Sequence, residues 1–460
     1  MQKRFYSGLS LLPGDWNAEE PVRRNLSLLT ASMIFSSIWL MISTEAPLTG
    51  FLSALHANDF VYGLIMSLPY FGALFQLPGS GILARLRRKT VLYRCAGIVR
   101  GLLWIAIGFT ALLPAEKHPL AAVLLLASAA AVCGAFVNMT LTTLLGIVAP
   151  EHILGRYLSA RNRVGVLADL GCGLLISLLL DHIIAPYNYA LVFGIAGLGS
   201  IADACIAGLV EEPAVAPPPR RAGGPALREM LHNRGFVRCV LFWVAWNFSY
   251  YIASPFNAKY CLGPLEMSFT QFTIGCNYLY YAVTIFALPR WGRFIDRFGC
   301  KNTIYFAFSA IGAIGMLWLF AKPGRLLIPV LFYGLGGTVW CVVELLNQHM
   351  MISQTPGEER HRYIAAYSVF SMVLGQGMAT LCGGAVMGLI DRAIGGGRWR
   401  ILWFELDKYQ LLFTFACVLR FAVIFFLAPR LQEKEVPLRG TPGAIFRALR
   451  KALSRTKKER

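Results

Sequence analysis

Trp291-Gly292-Arg293-Phe294-Ile295-Asp296-Arg297-Phe298-Gly299-Cys300-Lys301 is a charged, glycine-punctuated stretch set between two long apolar segments, Phe269–Pro289 and Thr303–Phe320. Read as a short turn between two segments of membrane length, it forces them to run antiparallel and holds its charges at one face of a bilayer. Its spacing, G-x-x-x-D-R-x-G-x-K, falls on Gly292, Asp296, Arg297, Gly299 and Lys301.

The rest of the chain has the composition such a turn requires. The 460 residues are 56% hydrophobic and only 15% charged, with mean hydropathy +0.56, which is too apolar for an ordinary soluble protein. The net charge of +19 does not point to nucleic acid, because Lys and Arg sit mostly in loops between apolar spans and in the C-terminal tail. Anionic phospholipid headgroups are the expected counterpart. Eleven cysteines are scattered about one per span. With no Cys-x-x-Cys pair and no His cluster, neither a disulfide framework nor a metal site is expected. No phosphate-binding loop or nucleophile motif is present, so neither an enzyme nor a cofactor is expected.

A helix needs about 20 apolar residues to cross the hydrocarbon core. That criterion predicts twelve spans, at about 26–50, 60–83, 91–113, 120–148, 160–181, 189–210, 236–258, 269–290, 302–321, 326–350, 363–390 and 409–429. Placing the N-terminus inside gathers Arg85, Arg87, Arg88, Lys89, Arg156, Arg161, Arg163, Arg220, Arg221, Arg228, Arg234, Arg293, Arg297, Lys301, Arg360 and Arg362 on one face. By the positive-inside rule both termini are then cytoplasmic, in a cell membrane.

The chain also repeats. Ser80–Lys89 follows the second span as Gly292–Lys301 follows the eighth, an offset of 212 residues. Pro150 with Arg156-Tyr157 follows the fourth span as Pro356 with Arg362-Tyr363 follows the tenth, an offset of 206. Two matched loops at nearly one offset mark an internal duplication. Hence the expected organisation is an N-terminal segment (1–24), a six-helix half (25–210), a cytoplasmic linker (211–235), a second six-helix half (236–430) and a basic tail (431–460). In the tail, Ile445, Phe446, Leu449 and Leu453 interleave with basic residues, as in a helix lying on an anionic leaflet, although a solvated tail reads equally well.

Together the twelve spans, the six-plus-six repeat, the long central loop and the Gly292–Lys301 motif resemble the major facilitator superfamily, over residues 25–430. The resemblance implies an all-α polytopic membrane protein, two pseudo-symmetric six-helix bundles that act as a monomer, with spans 1, 4, 7 and 10 lining a cavity open alternately to each side. It implies a secondary transporter of a small solute. The N-half copy departs from the motif, with Ser80, Ala84 and Arg87 at the two glycine positions and the aspartate, while Arg85 and Lys89 remain. The glycine-proline signature of many drug/proton antiporters is absent from the fifth span.

Candidate substrate or coupling residues follow from the cost of polar groups in lipid, which confines them to aqueous paths or helix contacts. Glu45 in span 1 reads as a coupling acid or as an interfacial residue beside Pro47. In span 10, Trp340, Glu344 and Asn347 share a helical face with Gln348. Span 7 offers Trp246, Asn247 and Tyr250, an aromatic-amide face able to stack on and hydrogen-bond a polar solute, or simply to pack. Asn138 in span 4 and Asn277 in span 8 are weaker members. Arg100, Asp169, Asp203 and Arg420 are expected to serve structure, Arg100 by reaching back to the interface. For the gate, Asp296 and Arg297 of the motif, with Gly292, Gly299, Lys301 and Arg85, are expected to make contacts that form in one state and break in the other. Proton coupling is expected from Glu45 and Glu344. Sugars or organic acids, drug-like efflux substrates, and a non-transporting sensor remain open.

Overall fold

The computed structural model describes residues 20–44, 46–114, 118–212, 227–354, 360–401 and 404–431. The N-terminal segment, Glu45, most of the linker and the basic tail lie outside the described residues. Ten helical stretches are long and apolar enough to cross a membrane. One of them, Phe269–Phe320, contains two spans, and the shorter apolar Asp59–Phe75 supplies another. The described residues therefore hold the twelve spans that apolar length predicts.

Spans 3 to 6 are continuous helices: Lys89–Thr110, Pro119–Val148, Glu151–His182 and Tyr187–Ala207. Span 1 is described on either side of Glu45, as Glu20–Thr44 and Ala46–Ala54. Span 7 is interrupted, running as Arg234–Tyr251 and Ser254–Leu262, and its second piece carries Pro255 in its first turn, where the missing N–H is least costly. Pro255 cannot donate to the carbonyl of Tyr251. That carbonyl instead accepts from Thr380 Oγ1 of span 11 at 3.4 Å. Spans 8 and 11 each contain a π-helical turn, Thr273–Tyr278 and Ser371–Gly377, a distortion frequent at functional sites.

The motif that opened the sequence reading is not a turn through most of its length. Trp291–Phe298 prolongs the helix that begins at Leu279, and the reversal falls at Gly299, with φ 78° and ψ 167°. This is a backbone region essentially reserved for glycine. Beyond it the chain doubles back, so that Phe294 and Phe306 lie 5.8 Å apart. One addition to the all-α expectation is a two-stranded antiparallel hairpin between spans 11 and 12, β1 (Trp399–Ile401) with β2 (Phe404–Leu406).

Arg100 and Asp203, both buried in the N-terminal half, satisfy each other. Arg100, 1% exposed, does not reach back to the interface; it pairs with Asp203 at 3.3 Å and donates to Ser200 Oγ at 2.8 Å. Tyr93 donates to the same carboxylate, and the guanidinium lies 3.9 Å from the Trp39 ring centre. A buried pair held by this many hydrogen bonds ties spans 1, 3 and 6 together. In the C-terminal half the core is aromatic. Trp246 stacks on Phe308 at 3.8 Å, with Phe242 and Trp243 around them.

Candidate functional site

Where span 1 faces the broken middle of span 7, a cavity of about 340 Å³ opens between the halves. Thr44, Ala46 and Thr49 line it from span 1, and Tyr250, Ser254 and Asn257 from span 7. Spans 2, 8 and 10 add Tyr62, Tyr70, Asn277, Tyr280, Tyr333 and Trp340, and Arg420 reaches in from span 12. An interrupted helix leaves backbone polar groups and short side chains at the level where a solute must be held, a recurrent arrangement in transporters. The wall is mainly aromatic, with Tyr250 stacked on Trp340 at 4.0 Å and Tyr70 edge-on to Tyr251 at 5.5 Å.

Of the sequence-derived candidates, Tyr250, Asn277 and Trp340 meet at this cavity. Asn247, Glu344 and Asn347 line a separate recess of about 260 Å³ that shares Trp340 and Tyr251 with it. In the recess Asn247 donates to Ser371 Oγ at 2.8 Å, and Asn347 accepts from Tyr367 at 2.7 Å. Glu344 is exposed and accepts from Gln348 at 3.0 Å. Trp246 belongs to the C-half core and does not reach the cavity. Asn138 is exposed and stands outside the cavity wall. Glu45 lies outside the described residues, between the cavity-lining Thr44 and Ala46.

The cavity is sealed at the end away from the basic loops by contacts the sequence reading missed. Asp59, at the start of span 2, is buried and receives Lys259 on one oxygen and Lys408 on the other, each at 2.7 Å. Lys408 also approaches Asp391 at 3.4 Å. Just beneath, Tyr62 donates to the Pro255 carbonyl at 2.7 Å and contacts Thr49 Oγ1 at 3.0 Å. A second strap joins spans 5 and 8: the Asp181 carboxylate accepts from the backbone N–H groups of Phe269 and Thr270 at 2.9 and 2.8 Å. Nearby, Ser177 and Thr273 hydroxyls meet at 2.6 Å, and Tyr278 donates to the Leu170 carbonyl. Asp181 thus caps a helix of the other half. Asp181→Ala is expected to weaken the seal by about 1 kcal/mol, as for other lost N-caps, and to raise labelling from that end of a cysteine introduced on the cavity wall, Ser254→Cys, about fivefold; unchanged labelling would show that the cap carries nothing.

At the basic end the motif residues do not bridge the halves. Asp296 and Arg297 are exposed, and Asp296 forms no hydrogen bond or ion pair among the described residues. The Arg297 guanidinium lies 5.4 Å from the Phe298 ring centre. Lys301 donates to the carbonyls of Pro429 and Leu431 at 2.9 and 3.2 Å, closing the end of span 12 within its own half. Arg85 is exposed at the end of the helix Gln76–Arg85, and Gly292 has open space around its Cα. Among the described residues, the ion pairs and hydrogen bonds that join the halves gather at the end away from the basic loops.

Two six-helix halves around a central cavity, closed together at the end away from the basic loops, are the architecture of a secondary transporter. The chain belongs to the Major Facilitator Superfamily, whose profile matches residues 26–380. Among solved structures it is similar to a bacterial homologue of the human lysosomal transporter Spinster in an inward-facing, occupied conformation (TM-score 0.70, 15% identity, covering 92% of this chain and 100% of that one). It is also similar to the nucleoside transporter NupG (TM-score 0.62, 13% identity, 90% and 100%) and to a D-xylose–proton symporter (TM-score 0.65, 13% identity, 90% and 99%). No curated protein sequence matches the chain.

Proposed function

We propose that the protein moves a small polar organic solute through the central cavity by alternating access, coupled to protons. The observation that supports this reading most is the cavity itself, flanked by the interrupted span 7 and closed at one end by an ion cluster drawn from both halves. Its size suits a sugar or a small organic acid better than a bulky drug-like molecule, standing at the lower end of the range for small-molecule sites.

In this reading Tyr250, Trp340 and Asn277 contact the solute. Asn247, Glu344 and Asn347 line its path to the basic end, and Glu45 and Glu344 carry the coupling proton. The motif residues Asp296, Arg297 and Arg85 engage only in the opposite state, when the basic end closes around them. The basic loops face the cytoplasm, the tail lies against anionic headgroups, and a monomer suffices.

Reconstituted vesicles test the coupling. An imposed pH gradient should accelerate solute uptake about tenfold or more, and the double variant Glu45→Gln, Glu344→Gln should abolish the acceleration. Uptake indifferent to the gradient in both proteins would remove the proton from the mechanism.

A further inference from the structure

Arg420 is the one charged side chain on the cavity wall among the described residues, and its surroundings are unlike those of Arg100. Both are buried, at 5% and 1% exposure. Arg100 has a carboxylate and a hydroxyl on its guanidinium. Among the described residues Arg420 has neither: its Nε is buried without a partner there, and its Nη1 reaches only Cys417 Sγ, at 3.9 Å. The guanidinium lies 5.3 Å from the ring centre of Tyr250, the ring that stacks on Trp340. Space for it depends on Gly315 of span 9, where an added Cβ would fall 2.9 Å from Nη1.

A cation kept inside the membrane without a counter-charge is costly and is retained where it does work. The planar guanidinium fork matches an oxyanion, with which it forms two parallel charge-assisted bonds. One fork, with no second cation among the described lining residues, balances a single negative charge, which favours a carboxylate over a phosphate dianion. Next to the fork are aromatic faces, Tyr250 on Trp340, suited to a flat or apolar body.

We propose that Arg420 anchors the carboxylate of a small organic acid whose aromatic or apolar body lies against Tyr250 and Trp340. This deepens the transporter reading and rests on it: the solute class becomes a monocarboxylate rather than a neutral sugar.

The full-length protein, purified in detergent, is titrated with benzoate and 3-phenylpropionate, with the uncharged amides benzamide and 3-phenylpropionamide, and with inorganic phosphate. Thermal protection and tryptophan fluorescence are read together. The expected result is binding of a carboxylate with its amide about 10- to 100-fold weaker, the worth of a charged hydrogen-bonded pair. Arg420→Gln should weaken the carboxylate by a similar factor and leave the amide unchanged, which a merely misfolded variant would not do. Arg420→Lys, which keeps the charge and loses the fork, should fall between the two and carries the comparison if the glutamine variant does not fold. Amides as tight as acids, phosphate tighter than the acids, no protection by either acid, or equal weakening of acid and amide would each overturn the anchor. Counterflow in vesicles separates this from the transporter reading. Exchange of a neutral sugar such as D-xylose, intact in Arg420→Gln, would overturn the anion class and leave transport standing. Protection by a carboxylate that is never exchanged would uphold the anchor and overturn transport.

Discussion

Asp59→Asn is expected to shift the protein about 100-fold or more toward the conformation open at the end away from the basic loops. In the sealed state the Asp59 carboxylate balances two ammonium groups, Lys259 and Lys408, both at 2.7 Å and both contributed by the other half. Its side chain is only 8% exposed. The asparagine keeps the shape and removes the charge, leaving two cations facing each other behind a protein wall. Removing one partner of a buried ion pair costs about 3–5 kcal/mol. When the halves part, the same groups meet water, so the cost falls on the sealed state alone. At about 1.4 kcal/mol per tenfold, the shift is two orders of magnitude or more. The check is the rate at which an impermeant maleimide, applied at that end, labels Ser254→Cys on the cavity wall. A triple variant with Lys259→Met and Lys408→Met should reseal much of the opening, because an apolar replacement of a whole ion cluster is close to neutral. Equal labelling of wild type and Asp59→Asn would remove the cluster from the gate.

Gly384→Leu should open the same end by steric means. Spans 2 and 11 cross there with backbone against backbone: a Cβ at Gly384 would fall 2.6 Å from the Asp59 carbonyl and 3.1 Å from Phe60 Cα. From the opposite side, a Cβ at Gly63 would fall 2.8 Å from the Thr380 carbonyl. No flexible side chain stands in between to move aside. An alanine forces a small separation, and a leucine cannot be housed unless the halves part. Overpacking costs about 1–3 kcal/mol or more, so labelling of Ser254→Cys should rise about 10- to 100-fold with leucine and less with alanine. Because Gly384 touches the backbone of Asp59 itself, the double variant with Asp59→Asn should open less than the two effects combined. Full additivity would place the two contacts on separate gates.

The spans were legible because burial in lipid demands apolar length, a property written along the chain without reference to partners. The duplication was legible in the same way, from the paired loops at Ser80–Lys89 and Gly292–Lys301. Pro255 carried a further readable signal, since it marks the break in span 7.

What the sequence hid was pairing between distant segments. Lys259 and Lys408 fall just outside the predicted ends of spans 7 and 12, where loop charges belong, although both turn inward onto Asp59 across the interface. Trp246 and Tyr250 are one helical turn apart, yet one is sealed in the C-half core and the other forms the cavity wall. Helical spacing assigns a face to each but does not say which neighbour meets it. The same applies to Arg420, whose span reads as peripheral until its side chain is seen to pass Gly315. The motif helix beyond Trp291 was hidden for another reason: glycine and charge read as a turn, while only Gly299 has the left-handed backbone that reverses the chain.

Two distances measured together test alternating access most directly. Spin labels at Ser53→Cys and Glu266→Cys report the sealed end, and labels at Arg87→Cys and Arg297→Cys the basic end, all at exposed positions, with the exposed Cys95 replaced. In the wild-type protein the first pair should be close and the second apart. In Asp59→Asn the first should lengthen and the second shorten, as the motif residues are drawn together at the basic end. If the two distances move in the same direction, or neither responds, the two ends are not coupled and the protein does not work by alternating access.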